Sequence, residues 1–96
     1  MRKRPIHPEK VDDHSHVIRW VTDTGALPVG EVTSAPGTLG PLLEYGVLDR
    51  VHIEAGAVVT WVRQDLDLTE HGPRIRDAIS VALGLDGWDV ETPADS

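Results

Sequence analysis

The sequence predicts an α+β fold in the order ββαββα: a four-stranded, mostly antiparallel sheet with two helices on one face. Three observations predict it. Residues 47–63 hold Val51, Ile53, Val58, Val59, Trp61 and Val62 around Ala55-Gly56, the pattern of a β-hairpin. Residues 68–83 put Ile75, Ala78, Ile79, Ala82 and Leu83 on one helical face. The length of 96 residues fits one domain, and at that size a compact chain buries roughly 60–65% of the surface exposed when unfolded.

Taken in order, residues 1–14 carry Pro5, Pro8 and many charges, with only Ile6 and Val11 as aliphatic residues. They read as a flexible basic lead-in. From His16 to Thr22 the β-branched and aromatic residues Val17, Ile18, Trp20 and Val21 suit a strand, and Asp23-Thr24-Gly25 a turn. A weaker strand follows near 29–33, with Pro28 tolerated at its start. Leu39, Leu42 and Leu43 recur at helical spacing, and Gly46 supplies a stop, which predicts a short helix over 39–45. The central hairpin comes next, and the two hairpins then share a sheet.

Asp67 followed by Glu70 has capping-box spacing and opens the second helix near residue 68. Gly72-Pro73 inside it predicts a bend there or a start at Pro73. Gly84 stops it, and the end of the chain, with an Asp86-Gly87 turn and Trp88, frays. The organisation is thus a lead-in over 1–14, one α+β domain over 15–90 and a disordered tail over 91–96.

Composition narrows the function. The absence of cysteine excludes disulfides, thiolate nucleophiles and thiolate-held zinc or iron–sulfur groups. The net charge is −7, and four of the nine basic residues lie in the first ten positions with one acid, so the remainder holds 5 basic and 15 acidic residues. A body this acidic repels phosphate backbones, which argues against a nucleic-acid partner. No stretch approaches the ~20 apolar residues of a membrane span, and Met1-Arg2-Lys3-Arg4 leads into polar sequence rather than a signal peptide. The expected location is cytoplasmic, away from membranes.

The run Leu39-Gly40-Pro41-Leu42-Leu43-Glu44-Tyr45-Gly46-Val47-Leu48-Asp49-Arg50-Val51, then Ala57-Val58-Val59-Thr60-Trp61-Val62, then Leu68 with Pro73-Arg74-Ile75-Arg76-Asp77-Ala78-Ile79, carries a likeness. It resembles the N-terminal domain of the Nfu/NifU-type iron–sulfur scaffold proteins. There a Leu-rich helix leads through Gly-Val into a strand, a second strand follows, and a Pro- and Ile-containing helix closes the domain. The likeness covers residues 38–80. The family's Thr-Pro-Asn-Pro-Asn segment and its phenylalanine are missing here, and Leu stands where the closing helix usually has Trp. The family's cluster-binding Cys-x-x-Cys belongs to a separate C-terminal domain. The resemblance implies the fold and an association with iron–sulfur assembly, and it carries over no cluster ligand and no catalytic residue.

Among chemical constellations, Asp13-His14-Ser15-His16 spaces two imidazoles on one side of a strand, as a divalent metal requires, and His52 is a third candidate ligand. The alternative is solvated histidines at a strand start. The Ser34–Gly40 loop lacks the spacing and the lysine of a phosphate loop, so it reads as structural. Ser15, Ser34, Ser80 and Ser96 lie in no nucleophile elbow, and Asp65 with Asp67 solvates a linker. Nothing points to an enzyme or to a cofactor.

The hairpin is more informative. With a two-residue turn, Ile53 faces Val58 and Val51 faces Thr60, leaving Arg50, His52, Val59 and Trp61 on the other face. With a three-residue loop, Val58 and Val62 turn outward instead. Either register leaves apolar groups on both faces, and two short helices cover only one. Trp61, Arg50, His52 and Val62 are the candidate partner-binding residues. The alternative is that the N-terminal segment or Trp88 folds over this face. The expected function is a non-enzymatic protein-interaction or accessory module, linked by resemblance to iron–sulfur assembly. Its partner is another protein, a second copy of the chain included. The alternative is a small metal- or ligand-binding regulatory domain built on His14, His16 and His52.

Overall fold

The computed structural model describes residues 6–10, 16–25 and 27–91. The strands are β1 (His7–Lys10), β2 (Val17–Val21), β3 (Gly30–Ser34), β4 (Leu48–Glu54), β5 (Ala57–Val62) and β6 (Asp89–Glu91), and the helices are α1 (Leu39–Glu44) and α2 (Leu68–Leu83). The class is α+β, but the sheet has six strands, not four, in the spatial order β1-β2-β5-β4-β3-β6, with every pairing antiparallel. The chain order is βββαββαβ rather than ββαββα.

Both extra strands are edge strands, where half the backbone needs no partner and a few apolar anchors suffice. Within the segment read as a lead-in, Ile6 is buried in the core and Glu9 pairs with Arg19 of β2 at 3.1 Å. At the other end, Val32 of β3 pairs with Val90, and the Trp88 indole N–H donates to the Ala82 carbonyl at 3.0 Å. Residues 91–96, read as a tail, begin with Glu91, which closes β6; residues 92–96 lie outside the described set. One pairing also differs from expectation. Strands β2 and β3 do not form a hairpin with each other but flank the β4–β5 hairpin on opposite sides.

The central hairpin follows the two-residue register, with Ile53 opposite Val58, Val51 opposite Thr60 and His52 opposite Val59. Gly56 takes φ +82° in the turn, a conformation glycine adopts without steric cost. A register shift between Leu48 and Arg50 returns Leu48 to the buried side, opposite Val62, which already alternates in phase with Val58 and Thr60. Helix α2 opens where expected, with the Asp67 carboxylate accepting from the Thr69 N–H at 2.9 Å. It runs on through Pro73 to Leu83, and the predicted apolar face is the buried one.

Ile18, Trp20, Val32, Leu48, Val51, Ile53, Val58 and Val62 project from one face of the sheet into the cluster that also holds Leu39, Ile75, Ile79 and Leu83. Both helices therefore cover that face. Thr60 is the polar residue among them, fully buried, and its hydroxyl accepts from the Trp20 indole N–H at 2.9 Å. The Thr22 hydroxyl, in contrast, is buried without a hydrogen-bond partner among the described residues. Removing an unsatisfied hydroxyl while keeping its shape should help, so Thr22→Val is expected to raise unfolding free energy by about 1 kcal/mol. Urea titration of the two proteins checks it, and a fall in midpoint would refute it. No helix among the described residues is long and apolar enough to cross a membrane.

The polarity of the outer edge follows from two backbone bonds. The Val62 N–H donates to the His16 carbonyl at 2.9 Å and the Thr22 N–H to the Gly56 carbonyl at 3.0 Å, so even-numbered residues here bond toward β5 and the odd ones of β2 toward β1. His7 and Glu9, opposite Val21 and Arg19, then direct their amides to β2. Pro8 occupies the outward-facing position between them, where its missing N–H costs the sheet nothing.

Candidate protein-binding face

The alternation that buries Ile53, Val51, Val58 and Thr60 sends their neighbours to the helix-free face. Cross-strand rows there run Val21, Ala57, Glu54; then Glu9, Arg19, Val59, His52, Glu31, Glu91; then Val17, Trp61, Arg50. Three of the four candidate partner-binding residues, Trp61, Arg50 and His52, share this face. Val62 does not: it is 1% exposed on the helix-covered side. Under the observed register, adjacent residues of one strand point oppositely, so Trp61 and Val62 cannot serve one surface.

Long charged side chains cover the middle of this face in place of helices. Arg19 on β2 reaches Glu54 on β4 at 3.6 Å, although β5 lies between those strands. This ion pair therefore spans Ala57 and Val59, which are 0% and 6% exposed although no helix lies above them among the described residues. Next to it, the Arg50 guanidinium donates from two nitrogens to the Glu31 carboxylate at 2.8–3.1 Å, and its central carbon lies 4.6 Å from the centre of the Trp61 ring. Arg19 and Glu31 were not singled out in the sequence. Their positions in strands that alternate with Ile18, Trp20 and Val32 are the signal that marks them.

The hydrogen bond from Arg50 holds the Glu31 carboxyl below its ordinary range; slight burial opposes this, and the charges of Arg50 and His52 add to it. A group with a depressed folded-state pKa contributes its stabilisation above the unfolded value, near 4.5 here, and loses it as pH falls through the folded value. Stability is therefore expected to be insensitive to this pair from pH 7 down to the unfolded value and to decline below it. Glu31→Gln should remove part of that acid-side slope in denaturation midpoints measured between pH 3 and 7. An identical slope in both proteins would contradict it.

Neither alternative covering of the face occurs among the described residues. Trp88 packs on the helix side through Ala82, and β1 extends the sheet at its edge. Of the histidines considered as metal ligands, His14 lies outside the described residues. His16 Nδ1 lies 3.2 Å from the Arg63 carbonyl, while His52 stands between Val59 and Glu31 on the open face. No group of three or more potential ligands gathers among the described residues. Asp65 and Asp67 have separate tasks, one bonded to Arg63 at 2.6 Å and one capping α2. No family model, curated protein or solved structure matches the chain.

Proposed function

We propose that the chain is a non-enzymatic protein-interaction module that docks through the helix-free face of its sheet. The observation that supports this is the half-buried Trp61 stacked under Arg50, in line with Val17, on a face that no helix covers among the described residues. Trp and Arg are the residues most often found at the energetic centres of interfaces, because each pairs a large contact area with directional polar groups. Around them, carboxylates outnumber guanidiniums: Glu9, Glu31, Glu54 and Glu91 against Arg19 and Arg50. The partner that fits is a protein surface with a net positive rim and an apolar centre.

Residues 38–80 run helix, strand, strand, helix, and their resemblance to the scaffold domain makes iron–sulfur assembly the first cellular setting to search for that partner. The test is capture of partners from the native cell with wild-type chain and with Trp61→Ala, followed by titration of the captured protein. Trp61→Ala should weaken binding by about tenfold or more, with the Trp20 and Trp88 indole resonances unchanged. Equal binding by both proteins would remove this face from consideration.

A further inference from the structure

Away from the open face, a groove of about 330 Å³ lies between the β1–β2 side of the sheet and the first half of α2. Pro8, Ile18 and Trp20 line it from the strands, and Leu68, Gly72 and Pro73 from the helix, with Thr69 and Arg76 as its polar members. The helix breaks local rules where it borders this space. Gly72 sits inside a 16-residue helix although an added Cβ would meet nothing within 4 Å, and glycine there costs about 1 kcal/mol relative to alanine. Pro73 follows, and it has no N–H for the Thr69 carbonyl one turn back. Two weakening residues side by side, with no packing reason for the first, are what a site keeping its volume open looks like.

Charge supplies the second observation. Arg19, Arg50 and Arg63 each hold a carboxylate, whereas Arg74 and Arg76 hold none among the described residues, and of these two it is Arg76 that borders this groove. An exposed guanidinium without a carboxylate, at an apolar groove in a chain of net charge −7, favours an anionic headgroup with an apolar tail.

We propose that this groove binds a small amphipathic carboxylate, an aliphatic acid of medium chain length. Its chain lies against Ile18 and Trp20 and its carboxylate on the Arg76 guanidinium, beside the Thr69 hydroxyl. The site is separate from the docking face, so each stands or falls alone.

Octanoate titrated into the isotopically labelled full chain tests it. Saturable shifts are expected at the Trp20 indole N–H and the Ile18 amide, with Trp61 and Arg50 unmoved. Arg76→Gln should weaken binding by about tenfold, the loss of one charge-assisted contact. Gly72→Leu should fill the groove and abolish binding without lowering the melting temperature, which keeps loss of binding distinct from loss of fold. The proposal is overturned if no saturable shift occurs below the concentration at which octanoate forms micelles, if Gly72→Leu binds as the wild type does, or if octanol binds as tightly as octanoate.

Discussion

Replacing Gly30 with alanine is expected to detach β6 and to lower unfolding free energy by about 2–4 kcal/mol. Gly30 has φ +150°, a conformation that L side chains rarely adopt, and a Cβ built on it would sit 2.6 Å from Val90 Cγ1 and 2.7 Å from the Glu91 carbonyl oxygen. The second contact is with backbone, so no rotamer change relieves it. β3 and β6 must separate, which takes Val90 from the core edge and breaks the 3.1 Å bond from the Thr33 hydroxyl to the Asp89 carbonyl. Gly56→Ala is the control. Its φ is also positive, at +82°, but a Cβ there meets nothing, so its cost should stay at about 1–2 kcal/mol. Guanidinium denaturation and the amide resonances of residues 89–91 read both effects, and equal losses at the two glycines would refute the steric account.

The second large effect is expected from Thr60→Val. The substitution keeps shape and removes the oxygen that accepts from the Trp20 indole N–H, in a site where both residues are buried. The indole donor is then left without a partner in an apolar core, at about 1–3 kcal/mol. For a domain of this size, 2 kcal/mol corresponds to a fall in melting temperature of on the order of 10 °C. Thr60→Ser retains the oxygen and should lose less, and the Trp20 indole N–H resonance should move only in the valine variant. This pair reverses the sign expected at Thr22, where the same Thr→Val change removes a hydroxyl that has no partner. Measured together, the two sites separate hydrogen bonding from side-chain size.

The parts of the fold that were legible in the sequence are those specified by local contacts. Ala55-Gly56 between alternating apolar runs determines both the turn and its register, and Asp67 with the Ile75–Leu83 face determines α2. What was not legible is non-local. β1 carries Pro8 and charges because an edge strand needs only Ile6 as an anchor, and β6 is three residues long, too short to display a period. The turn signal at Asp23-Thr24-Gly25 is real, with the Gly25 N–H bonded to the Asp23 carboxylate at 2.9 Å. A turn shows that the chain changes direction; it does not show which strand the next one joins, and β3 joins β4.

The same distinction governs the candidate face. Trp61, Arg50 and His52 fall together because the hairpin's own register puts them there, while Val62 belonged to the competing register. The Arg19–Glu54 bridge over Ala57 and Val59 depends on β2 lying beside β5, a pairing between residues about forty positions apart in the chain. The groove beside Gly72 depends on how α2 lies against the β1–β2 side, which no spacing within the helix reveals.

Pro8 has a consequence for assembly. A strand added outside β1 would meet a ring where it needs a donor, and at the opposite rim it would meet a three-residue strand ending in Asp89 and Glu91. Among the described residues both rims are therefore poor templates for a further strand, which disfavours sideways growth into fibrils and favours partners that approach broadside onto the sheet.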